Sequence, residues 1–215
     1  MLLPYDVIVL LISFLIAAVA IRPDSPRYLR YFPVYLALTS IVEIIGATSR
    51  RTHVNNALMY NLSSTARICF FIFVAAELLR GKPAKLAGTF LRVFPVLALL
   101  NICFVQGPHH FHTYSYMLGC VLIDILGILY FVQLFNQPEP VELAKLPAFW
   151  IMIGFIFYFT CSMSFLGLAN YISSLPRTIR FQLVNLLSFI NTLLYILFDI
   201  AFLCQLNTRK FMSNS

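Results

Sequence analysis

Seven apolar stretches divide this chain, and each is long enough, or nearly so, to cross the hydrocarbon core of a bilayer. They run Tyr5–Ile21, Tyr31–Thr48, Ala57–Leu79, Thr89–Val105, Thr113–Phe135, Pro147–Ile172 and Phe181–Leu206. A segment in lipid must satisfy every backbone N–H and C=O internally, so a long apolar run is driven into a helix. The expected fold is therefore all-α: a polytopic bundle of seven transmembrane helices over residues 1–215, with no soluble domain. Pro95 is expected to kink the fourth helix. Ala18-Val19-Ala20 resembles a signal-peptidase site, but no Lys or Arg precedes it, so the first segment reads as an uncleaved helix.

Charge follows the same division. Charged residues make up 11% of the chain, against about 25% in a soluble domain, so its main solvent is expected to be lipid. The net charge of +7 lies between apolar runs and does not interleave with aromatics on a polar surface, which argues against nucleic-acid binding. Arg22, Arg27, Arg30, Arg80, Lys82, Lys85, Lys145, Arg209 and Lys210 share one side, against Arg50, Arg51, Arg177 and Arg180 on the other. That excess predicts an outside N-terminus and an inside C-terminus. Cys69, Cys103, Cys120, Cys161 and Cys204 all lie in apolar runs without a CxxC, so they read as buried small hydrophobes.

Five charges inside the apolar stretches call for an explanation: Glu43, Arg67, Glu77, Asp124 and Asp199. Intramembrane charges turn toward the bundle interior because hydrocarbon penalises them. Glu43 shares a stripe with Tyr35 and Thr39, and Arg67 shares one with Tyr60, Ser63 and Ser64. Asn185, Ser188, Thr192, Tyr195 and Asp199 recur at helical spacing in the last helix, and Tyr158 and Ser162 extend the pattern to the sixth. Counted from the outer ends, Arg67 lies roughly 16 Å deep, Asp124 roughly 18 Å and Glu43 roughly 10 Å. Arg67 is thus expected to pair with Glu43, Asp124 or both. Glu77 and Asp199 lie near the inner end, within reach of inner-loop Lys or Arg. Three readings stay open: a structural ion pair, a ligand pocket around it, or a proton or ion path.

The stretch Gly107–Asp124 joins two features. His109, His110 and His112 lie on an expected outer loop, where imidazoles suit pH sensing or metal binding. No further convergent ligands are identifiable, and a solvated loop is the simplest reading. His112, Tyr116, Cys120 and Asp124 then recur every four residues, forming one polar stripe. Common signatures for hydrolases, metalloproteases and nucleotide binding are absent, as is a central lysine in the last helix for a retinal Schiff base. No cofactor is expected.

The runs FHTYSYMLG (Phe111–Gly119), LPAFWIMIGFIFYF (Leu146–Phe159) and NTLLYILFDIAFLC (Asn191–Cys204) resemble a widespread set of small bacterial seven-helix membrane proteins, found mainly in the Bacteroidetes. Glu43 in SIVEIIG and the Tyr60-Asn61 pair match the same pattern. The resemblance spans essentially the whole chain and implies the bacterial cytoplasmic membrane; it carries no specific activity. The expected function is a sensory or regulatory module. It would bind a small molecule or lipid between helices and signal to a separate cytoplasmic protein. The alternative is a small-solute or proton-coupled transporter using Glu43, Arg67 and Asp124, and a lipid-modifying enzyme ranks third. Tyr60, Ser64, Tyr116, Asn185, Thr192 and Tyr195 complete the candidate lining.

Overall fold

A computed structural model of the chain describes residues 4–52, 55–137, 142–166, 171 and 174–213. Among these residues there is no strand. The long helices are α1 (Tyr5–Ala20), α3 (Phe32–Thr52), α4 (Ala57–Leu78), α5 (Lys82–Leu100), α6 (Thr113–Phe135), α7 (Pro147–Leu166) and α8 (Arg177–Ser213). A single turn, α2 (Arg27–Arg30), precedes α3. Six of the helices are long and apolar enough to cross a membrane, which makes this a multi-pass membrane bundle. The exception is α1, whose 16 residues span about 24 Å.

The helix limits have local causes. Gly81, at φ 68°, turns the chain between α4 and α5, and Pro83 then sits in the first turn of α5, where its missing N–H costs nothing. This starts α5 at Lys82, seven residues before the expected Thr89, because Lys82 and Lys85 can reach out to the membrane boundary. Gln133 on α6 clamps the same turn, accepting from the Arg80 N–H at 3.0 Å and donating to its carbonyl at 2.8 Å. Pro95 lies within α5; the departure from α geometry comes later, in a π turn over Asn101–Val105. The last helix exceeds its expected limits at both ends, since α8 continues beyond the apolar run into polar residues. The expected end of the sixth segment, at Ile172, lies outside the described residues.

Neighbouring helices follow one another around the bundle: α1 on α3, α3 on α4, α4 on α5, α5 on α6, α6 on α7, α7 on α8, and α8 back on α1. Because α4 also touches α6 and α7, it is the inner helix. Successive long helices alternate in direction. We call the end where α1 begins the N-face and the end where α8 finishes the C-face.

Packing follows from which residues each helix turns inward. On α1, Ser13, Ala17 and Ala20 are fully buried while Ile8, Ile12, Leu15 and Val19 are exposed. Small residues at an interface let helix backbones approach, and the aliphatic stripe on the other side meets lipid. On α6, Gly119 faces Ile68 and Phe94, and Gly127 faces Ile156; a Cβ at either would come within 2.6 Å of an isoleucine side chain. The centre is aromatic. Phe71 stacks on Phe155 at 4.2 Å between centroids, and Phe32 meets Phe70, Phe198 and Phe202 edge-on. Edge-to-face rings are attractive beyond the area they bury.

Candidate functional site

Helix α3 packs along α1 and meets α4 more sparingly, leaving a groove of about 470 Å³ between α3 and α4. Val34, Leu38, Ala66, Phe70 and Phe73 supply apolar wall; Tyr35, Thr39, Ser63 and Arg67 supply polar groups. Val34 and Leu38 are more than half exposed, so the groove opens sideways, toward the lipid. Tyr31 against Phe73, edge-on at 5.6 Å, marks its C-face end. Toward the N-face the two helices touch again: a Cβ at Gly46 would fall on the Tyr60 hydroxyl. Tyr35 stacks on Phe70 at 4.4 Å, in parallel planes, across the two helices.

Arg67 lies near the middle of α4, facing this groove. Its Nη2 is 3.9 Å from Glu43 Oε1, a long ion pair between two mostly buried side chains. Its Nη1 donates to Tyr158 Oη on α7 at 2.8 Å, and the guanidinium carbon stands 5.9 Å from the Tyr158 ring centre. Tyr35 and Tyr195 are also close enough to act electrostatically on the guanidinium. Among the described residues, buried Arg67 Nε has no hydrogen-bond partner.

Asp124, the other partner considered for Arg67, is bound elsewhere. Its Oδ2 accepts from Thr160 Oγ1 on α7 at 3.2 Å, and it makes no ion pair with Arg67 among the described residues. Asp124 points to the α6–α7 seam instead. Higher on the same stripe, Tyr116 is buried and shares a hydrogen bond with Ser162 Oγ at 3.1 Å. Glu77 pairs with Arg27 at 3.3 Å, a basic residue from the expected inner side. Asp199 instead accepts from Ser13 Oγ on α1 at 2.9 Å.

The histidines divide. His109 and His110 are exposed, but His112 is fully buried, which corrects its assignment to a solvated loop. The fold closes over it because α4, α6 and the π turn of α5 all end there in polar side chains. Its Nε2 lies 2.6 Å from Ser64 Oγ and its Nδ1 2.7 Å from Ser115 Oγ. Its N–H donates to Asn61 Oδ1 at 3.1 Å, and Asn61 Nδ2 donates to the His110 carbonyl at 2.8 Å. Asn101 extends the network by donating to Ser115 Oγ at 2.9 Å and to Gln106 Oε1 at 2.8 Å. Burial pushes the His112 imidazole down to about 4. Ser64 thus belongs to this network, although its helical spacing from Arg67 had suggested the groove.

Of the remaining candidates, Tyr195 lies beside Arg67, while Tyr60 packs on Gly46 outside the groove lining. Thr192 is half-buried and donates to the Ser188 carbonyl, and Asn185 is exposed, with its carbonyl accepting from Tyr5 Oη at 2.9 Å. Neither joins the groove. Thr160, Ser115 and Asn101, which help hold Asp124 and His112, were passed over in the sequence, and Asn61 entered for the resemblance alone. The polar spacing Asn61–Ser64–Thr65, one face of a helix, was the available signal. Also passed over was Arg92, an exposed cation inside the α5 span whose Nε donates to the Gly88 carbonyl at 3.0 Å. Among the described residues, no cluster of three or more His, Cys, Asp or Glu could hold a metal ion. Compared with protein-family profiles, curated proteins and solved structures, the chain matches none.

Proposed function

We propose that this protein is a sensory or regulatory module of the bacterial cytoplasmic membrane, with its N-terminus outside. It takes a small lipophilic ligand sideways from the bilayer into the α3–α4 groove. It then passes the resulting helix shift to a separate cytoplasmic protein at the C-face. The observation that carries this reading is the lipid-facing groove with Arg67 in its wall. A cavity of this volume, mostly apolar with a few polar groups, matches the general character of small-molecule sites. Arg67 also reaches α7 through Tyr158, so a ligand that draws on the guanidinium bears on two helices at once.

Transport draws less support, because it needs a connected polar path across the bilayer. Here Glu43 and Arg67 pair with each other, Asp124 binds Thr160, and Asp199 binds Ser13.

The test is retention of a native ligand. The protein, purified into lipid nanodiscs, is expected to carry a lipophilic small molecule visible by native mass spectrometry. Leu38→Trp, which fills the groove from an exposed position, should remove that molecule without lowering thermal stability. Equal retention by both proteins rejects the groove. Uptake of a solute into proteoliposomes, driven by a pH gradient and abolished by Asp124→Asn, would replace the sensor reading with transport.

A further inference from the structure

We infer that the C-face carries a site for the phosphate of an acidic phospholipid, in a cavity between the α4–α5 turn, the end of α6 and the start of α7. The cavity holds about 490 Å³ and shares no lining residue with the α3–α4 groove. Along α6 its wall changes from apolar Val132 and Leu134 to polar Asn136 and Gln137, where the membrane span ends at Phe135. Leu78 and Arg80 repeat that change on the facing side. Val132 is 51% exposed, so the cavity opens sideways to lipid as well. Its level and its mixed wall suit an amphiphile with its head at the membrane boundary.

Arg80 is fixed at its backbone and free at its charge. Gln133 accepts from its N–H at 3.0 Å and donates to its carbonyl at 2.8 Å. The residue is exposed, and its guanidinium makes no hydrogen bond or ion pair among the described residues. Arg27 and Lys145, on the same face, are by contrast paired with Glu77 and Glu142. A guanidinium presents several N–H groups in one plane, a geometry that matches phosphate oxygens. The side-chain amides of Asn136 and Gln137, at the polar end of the cavity, can add neutral donors.

Charge decides between kinds of headgroup. Among the described residues that line the cavity there is no Asp or Glu, so the ammonium of a zwitterionic lipid meets no carboxylate there. The nearby carbonyls are in use as well. Those of Val132 and Leu134 accept from the Asn136 and Gln137 N–H groups at 3.3 Å, and that of Arg80 accepts from Gln133. A head with net negative charge gains Arg80 without bringing a cation that lacks a partner. A soluble phosphate ester offers the same phosphate chemistry but leaves the apolar wall uncovered, whereas the first carbons of acyl chains bury it.

The test is lipid binding to the detergent-purified protein by native mass spectrometry, with phosphatidylglycerol, phosphatidylcholine and glycerol phosphate as probes. Phosphatidylglycerol is expected to bind about fivefold more tightly than phosphatidylcholine of the same chains, the scale of one cation near a membrane surface. Arg80→Gln should remove that preference. Thermal stability should not change, because the turn is held through the Arg80 backbone. Lys82→Gln and Lys85→Gln remove equal charge from the same face outside the cavity and should keep the preference. Val132→Trp, which fills the cavity from its lipid side, should weaken phosphatidylglycerol binding. Equal binding of the two lipids by the native protein overturns the site. Equal losses in Arg80→Gln and Lys82→Gln overturn it too, since they show diffuse attraction to a basic face, and so does unchanged binding by Val132→Trp. Displacement of bound lipid by millimolar glycerol phosphate would overturn the lipid source and assign the site to soluble phosphate esters.

Discussion

Arg67 Nη1 donates to Tyr158 Oη at 2.8 Å, tying the middle of the inner helix α4 to α7, while Nη2 faces Glu43 on α3 at 3.9 Å. One side chain therefore holds three helices around the groove. Losing the tyrosine hydroxyl should be mild. Tyr158→Phe is expected to cost about 1 kcal/mol in reversible unfolding in detergent, the scale of an interhelical hydrogen bond in a membrane protein. Arg67→Met should cost more, about 3 kcal/mol, because it removes one partner of a mostly buried ion pair. Adding Glu43→Gln to Arg67→Met should recover part of that loss. A double-mutant cycle with no coupling would show that the pair is not formed.

Asp124 gives the opposite expectation. It binds Thr160, so Asp124→Asn can keep a hydrogen bond there and should cost less than about 1 kcal/mol. Its effect should add to that of Arg67→Met within about 0.5 kcal/mol, as for sites without shared partners. Strong coupling between these two substitutions would mean that Asp124 and Arg67 meet after all.

His112 sets a pH dependence of stability. Its imidazole, just before the membrane-spanning part of α6, is pushed from 6.5 down to about 4 by burial. The unfolded chain therefore binds a proton more readily than the folded one. The contribution from the neutral buried ring is fully present above pH 6.5 and is lost as pH falls toward 4. Thermal unfolding of the protein in detergent should show a falling Tm across that window. His112→Gln should remove most of this slope; an unchanged slope would assign it to other groups.

Two glycines separate packing from propensity. At Gly119 a Cβ would come within 2.5 Å of Ile68 Cδ1, 2.9 Å of Ile68 Cγ2 and 3.1 Å of Phe94, so Gly119→Ala should destabilise by about 1–3 kcal/mol. Ile68→Ala should relieve part of that clash when combined with it. At Gly88 a Cβ would meet just the end of Arg92, at 3.9 Å, so Gly88→Ala should be neutral or stabilising. Similar effects at both positions in thermal unfolding would contradict the close α4–α6 contact.

Helix positions were legible because they depend on local physics. Hydrocarbon forces each apolar run to bond its own backbone, so Ala57–Leu79 and Thr113–Phe135 fixed α4 and α6 almost to the residue. The ends were less legible at α5 and α8, where helix continues past the apolar run in residues that also suit a loop.

Depth, too, could be counted from the sequence, at about 1.5 Å per residue. That placed Arg67 level with Asp124 and within reach of Glu43, and it placed Glu77 near the basic residues that include Arg27. What the sequence could not set was azimuth: the direction in which each helix turns its polar stripe depends on which neighbours pack against it. Tertiary packing turned Arg67 to Glu43 and Tyr158, and Asp124 to Thr160. It buried His112 between Ser64 and Ser115, and it left α3 far enough from α4 to open a groove. The chain by itself determined a multi-pass helical bundle. Only the packing of one helix against the next decided which charge meets which partner, because that choice lies in the angles between helices and not along any one of them.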